Sequence, residues 1–97
     1  MILQEVINYL EELAPPSYQE SYDNAGLIIG DASCEFTKAI ICLDSTEEVV
    51  EEAIAKGANI IIAHHPIVFS GLKKLNGSNY VERTVIKAIK HDIAIYA

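Results

Sequence analysis

Lys38-Ala39-Ile40-Ile41-Cys42-Leu43-Asp44, followed by Ser45 to Gly57 and then by Asn59-Ile60-Ile61-Ile62-Ala63-His64-His65-Pro66, is the stretch that decides the fold. Its two apolar runs are of strand length and lack polar alternation, the pattern of strands covered on both faces of a parallel sheet. Between them, Ser45 or Thr46 is placed to cap a helix, and Glu47 and Glu48 fall in its first turn, where the helix dipole favours anions. Val49, Val50, Ala53, Ile54 and Ala58 trace its buried face, and Gly57 stops it as a left-handed cap. Residues 38–63 therefore read as strand, helix, strand, with the crossover length that a parallel βαβ unit requires.

The flanks continue the alternation. Upstream, Ile2, Leu3, Val6, Ile7, Leu10 and Leu13 recur at steps of three and four, which predicts a helix over residues 2–13 ended by Ala14-Pro15-Pro16. A polar loop, Ser17 to Asn24, leads to a short strand, Gly26-Leu27-Ile28-Ile29-Gly30, and a turn at Asp31-Ala32-Ser33. Downstream, a loop from His64 to about Ser78 carries an exposed basic tip, Gly71-Leu72-Lys73-Lys74-Leu75. Val81, Val85, Ile86 and Ile89 predict an amphipathic helix over residues 79–91, and Ile93 to Tyr96 a further strand. The expected architecture is one α/β domain over residues 1–97, a mostly parallel sheet with helices on its faces. The sequence stops on the apolar run Asp92 to Ala97 with no polar tail, so these residues are expected to be the truncated N-terminal domain of a longer protein.

Composition closes several functional classes. With 97 residues, 51% hydrophobic and 22% charged, this is a globular chain. A formal charge of −7 speaks against nucleic acid as principal partner, because phosphate neutralisation needs clustered Lys and Arg. The charge is uneven: residues 1–52 hold 12 acidic side chains and one Lys, residues 53–97 hold 2 acidic and 6 basic ones. That asymmetry fits either an anionic ligand drawn to the second half or two solvated helix faces of opposite sign. No apolar stretch approaches the roughly 20 residues needed to cross a bilayer, and the N-terminus carries no secretory pattern, so a cytoplasmic, non-membrane protein is expected. Cys34 and Cys42 show no CxxC spacing and read as free thiols.

Parallel sheets hold their ligands beyond the carboxyl ends of the strands. Asp44-Ser45-Thr46 and His64-His65-Pro66 leave two successive strands there, so adjacent strands would bring both clusters to one rim. Two consecutive imidazoles suit zinc, iron, cobalt, nickel or manganese, although a pair of water-bonded loop histidines has the same spacing. Pro66 keeps His65 extended. Asp44 admits three readings: a phospho-acceptor, a metal or outer-sphere ligand, or a strand-end residue bonding its own loop. Ser45 sits beside an acid, but no GxSxG elbow is present, and His91 near a helix C-terminus complements the dipole.

Glu20-Ser21-Tyr22-Asp23-Asn24-Ala25-Gly26-Leu27, Leu43-Asp44-Ser45-Thr46, Ala63-His64-His65-Pro66-Ile67-Val68-Phe69 with Leu72-Lys73, and Arg83 leading to His91-Asp92-Ile93-Ala94-Ile95-Tyr96 occur in this order over nearly the whole chain. Together they resemble the N-terminal portion of the NIF-three-like family, also described as GTP cyclohydrolase I type 2 or dinuclear-metal-centre hexameric proteins. Tyr22 stands where many relatives have Trp, an aromatic exchange expected to preserve packing. The resemblance implies a toroidal homo-hexamer with two divalent metals per subunit, to which His64 and His65 contribute as ligands. It also implies an Asp from a His-Thr-x-x-Asp-like stretch, plus a His and a Glu, all beyond Ala97, so metal binding by the 97 residues alone is expected to be weak. The function implied is a metal-dependent hydrolase of a purine nucleotide or phosphoester. A non-catalytic metal-binding structural or regulatory partner is the alternative, and a receiver-like domain using Asp44 a distant third.

Overall fold

A computed structural model describes residues 1–13, 26–65 and 75–97 of the chain. These form α1 (Leu3–Leu13), β1 (Leu27–Ile29), β2 (Ala39–Cys42), α2 (Glu47–Lys56), β3 (Ile60–Ala63), α3 (Tyr80–Lys90) and β4 (Ala94–Tyr96). The Pro15-Pro16 stop, the 17–24 loop, the motif from Tyr22 to Ala25, the segment Pro66 to Phe69 and the basic tip up to Lys74 lie outside the described residues.

The strands make one sheet in the order β1-β4-β3-β2. β2, β3 and β4 run parallel, joined through α2 and α3 as the βαβ reading requires. β1 alone is antiparallel, pairing Leu27 with Tyr96 and Ile29 with Ile95 across an irregularity. Gly30, at φ 120°, then passes so close to β4 that an added Cβ would stand 2.6 Å from the Cβ of Ala94.

Local chemistry sets each helix. Thr46 caps α2, its Oγ1 accepting from the Val49 N–H at 3.2 Å, and Gly57 ends it at φ 71° with its N–H turned back onto the last turn. Asn79 caps α3 by accepting from the Glu82 N–H at 2.9 Å. Glu82 is buried, and its carboxylate accepts from the N–H groups of Asn76 and Ser78, the Ser78 hydroxyl and the Asn79 amide. The first N–H groups of α1, which no helix can satisfy internally, donate from Leu3 to the Cys34 carbonyl and from Gln4 to the Ala32 carbonyl, both at 2.8 Å.

The core has two halves, one per sheet face. Val50, Ala53, Val85 and Ala88 of α2 and α3 pack with Ile61 and Ile95, and Leu3 and Ile7 of α1 pack with Ile60, Ala94 and Tyr96. One expectation is corrected here. β3 is covered on both faces, but β2 is an edge strand whose Ile41 is 80% exposed and whose following Leu43 is 67% exposed. A continuous apolar run has the same sequence appearance at the centre of a sheet and at its edge, and α1 packs chiefly over β3 and β4. Arg83 of α3 pairs with Glu47 of α2, and Lys87 with Glu51.

Candidate functional site

The parallel register pairs Cys42 with Ala63, the last residues of β2 and β3. Hydrogen bonding continues past them, with the His64 N–H donating to the Cys42 carbonyl at 3.0 Å and the His65 N–H to the Leu43 carbonyl at 2.9 Å. Asp44 and His65 are each the second residue beyond an aligned pair, and alternation directs both to the same side. Their side chains meet: His65 Nδ1 lies 3.0 Å from Asp44 Oδ1. The rings of His64 and His65 stand 4.8 Å apart between centroids and tilt by 58°. The expected convergence of the two clusters on one rim is therefore present, and it brings together His64, His65 and Asp44.

The rim is open. Asp44 and His65 are 65% and 60% exposed at their side chains, a setting in which an ion pair adds little stability. Neighbouring groups are turned away from chemistry. Ser45 is buried and its Oγ has no hydrogen-bond partner among the described residues, so no imidazole activates it. Burial, and after it the charges of Asp44 and Glu52, pushes the Cys42 thiol above its ordinary 9.0. His91 closes α3 three residues before β4 begins, at the opposite end of the strands, with its Nδ1 donating to the Lys87 carbonyl at 3.0 Å. A groove lined by Glu47, Arg83, Lys87, Lys90 and His91 includes neither His64 nor His65.

As a donor set, His64 and His65 offer two imidazole nitrogens at one edge, the chemistry that borderline divalent cations favour. They are not a complete site. Among the described residues no group of three or more His, Cys, Asp or Glu side chains gathers in a way that could hold a metal ion. The Asp44 carboxylate thus meets the His65 imidazole across the two strand ends. That pairing becomes readable from sequence once β2 and β3 are aligned at their ends.

A family model described as Duf34/NIF3 (NGG1p interacting factor 3) matches residues 1–97. Among curated proteins, a GTP cyclohydrolase 1 type 2 homolog of Clostridium perfringens is 39% identical over the whole chain, which covers 37% of that protein. One of Staphylococcus aureus is 43% identical, again over the whole chain and 26% of its own length. The chain thus spans about a quarter to a little over a third of these relatives. Among solved structures, a Staphylococcus aureus protein superposes at TM-score 0.93 with 43% identity, over all of this chain and 28% of its own. A Bacillus cereus protein related to NIF3 superposes at 0.92 with 42% identity, over all of this chain and 27% of its own. Reduced HcgD from Methanocaldococcus jannaschii superposes at 0.88 with 28% identity, over 99% of this chain and 38% of its own.

Proposed function

Because the chain belongs to the Duf34/NIF3 family, we propose that it supplies His64 and His65 to the divalent-metal centre of a hydrolase acting on a purine nucleotide or phosphoester. The observation that carries this reading is the pair of adjacent imidazoles on the carboxyl rim of the parallel strands, with Asp44 bonded behind one of them. A bound divalent ion, zinc, iron, manganese, cobalt or nickel, supplies Lewis acidity and lowers the pKa of water. The protein's part is to present the imidazole nitrogens of His64 and His65 and to hold their orientation through the strand ends. The remaining donors, two metals per subunit and assembly as a toroidal homo-hexamer in the cytoplasm belong to the same proposal. No helix among the described residues is long and apolar enough to cross a membrane.

The openness of the rim favours one second reading, a metal-binding structural or regulatory partner without catalysis. One experiment separates the two. Metal content of the full-length protein, carrying the donors beyond Ala97, is measured by elemental analysis, and hydrolysis of GTP and of p-nitrophenyl phosphate is followed with and without chelator. Chelator-sensitive hydrolysis that disappears in the His64→Ala plus His65→Ala variant supports the hydrolase, and bound metal without turnover supports the partner. Tight, stoichiometric metal retained by that double variant would show that these residues are not the ligands.

A further inference from the structure

We propose that Asp44 is the positioning residue that locks His65 in its Nδ1–H tautomer, leaving Nε2 as the nitrogen free to donate to a metal. The use of that nitrogen rests on the metal reading above; the lock itself rests on geometry alone. The Asp44 Oδ1 to His65 Nδ1 separation is 3.0 Å, and a carboxylate oxygen accepts hydrogen bonds, so the contact places the proton on Nδ1. Both residues are anchored from behind. The His65 N–H donates to the Leu43 carbonyl, and Asp44 is followed by buried Ser45 and by Thr46, which caps α2. The carboxylate and the ring are therefore delivered by two strand ends in fixed register, 21 residues apart in sequence.

Exposure argues against a merely structural role. A pair this open contributes little to stability, which leaves the choice of ring nitrogen carrying the proton as the effect assigned to it. Such carboxylate–histidine contacts set the tautomer and ring direction of metal-binding imidazoles, and their loss typically lowers affinity about 10–100-fold. His64 has no side-chain hydrogen bond to its ring among the described residues, so the lock distinguishes the two histidines.

The test is long-range ¹H–¹⁵N NMR of the histidine rings on the full chain, metal-free, at mildly alkaline pH, followed by titration with zinc chloride. In the unaltered protein His65 is expected as the Nδ1–H form. In Asp44→Ala it is expected to revert toward the Nε2–H form that free imidazole side chains prefer, with about 10–100-fold more zinc needed to shift its Nε2 resonance. Asp44→Glu is expected to restore the Nδ1–H form at least in part. His65 found mainly as the Nε2–H form in the unaltered protein overturns the proposal, as does an unchanged tautomer in Asp44→Ala. A tautomer that responds to Asp44→Ala upholds the lock whatever the zinc result, and the metal reading is overturned separately if the full-length protein, with the donors beyond Ala97, binds no zinc.

Discussion

Arg83 of α3 donates from Nε to Oε1 of Glu47 on α2 at 2.8 Å, and one turn further along, Lys87 reaches Glu51. Two acids of the first half and two bases of the second thus pair along the α2–α3 seam. The pairs are partly solvated, so their worth is small and salt-sensitive. In a double-mutant cycle, Arg83→Ala and Glu47→Ala are expected to couple by about 0.2–1 kcal/mol at low salt, and less at about 1 M salt. A coupling of zero in low salt would mean that the Arg83–Glu47 pair is not held in solution.

Gly30 tests the contact between β1 and β4. An added Cβ would lie 2.6 Å from the Cβ and 2.9 Å from the Cα of Ala94, at a φ of 120°. Both steric overlap and backbone strain then oppose a side chain, and Gly30→Ala is expected to cost at least about 1–3 kcal/mol. Gly26, at φ 105° with no described residue within 4 Å of its added Cβ, is expected to carry chiefly the backbone penalty. Urea unfolding of both variants should show Gly30→Ala the more damaging; equal losses would mean the approach to Ala94 is not close.

Glu82 gives the fold an acid-sensitive joint. The Asn76 N–H first, then the Ser78 hydroxyl and the N–H groups of Ser78 and Gly77, hold its carboxyl below the ordinary 4.5. With the folded value depressed, the stabilisation is fully present above the unfolded value and is lost as pH falls through the folded one. Below about pH 4.5 the wild type is therefore expected to weaken more steeply than Glu82→Gln, although the variant is the weaker of the two near about pH 7. Urea midpoints compared across that range decide it: parallel acid limbs would remove Glu82 from the account.

Ile61 and Ile41 look alike in sequence and should behave oppositely. Ile61 is fully buried in the central strand, and Ile61→Ala is expected to cost about 2–5 kcal/mol through lost burial and a cavity. Ile41, on the edge strand and 80% exposed, should change stability by no more than about 0.5 kcal/mol when replaced by Thr. Chemical denaturation of both variants distinguishes them, and a large loss at Ile41 would place a covering element over that face.

Much of the fold was legible in short-range pattern. The helical spacing of Ile2 to Leu13, the apolar runs at Ala39–Cys42 and Ile60–Ala63, and the Gly57 stop each reflect a local preference that the tertiary structure left intact. The antiparallel seat of β1 against β4 was not legible, because it pairs Leu27 with Tyr96 across 69 residues and no local signal names a partner. The Asn79 to Glu82 spacing did carry a signal, an N-cap followed three residues later by Glu, which the helical periodicity of the segment overshadowed.

By itself, then, the sequence determined the alternation of elements, the parallel βαβ unit and the placing of two histidines at a strand exit, since these follow from hydrophobic period, turn chemistry and crossover length. Only the tertiary structure decided that β2 lies at an edge with Ile41 uncovered, that Arg83 of α3 meets Glu47 of α2, and that Asp44 meets His65. The reason is common to all three. Each depends on the strand order and register of residues far apart in the chain, a geometry that side-chain alternation records only modulo two and that pairing of whole strands must fix.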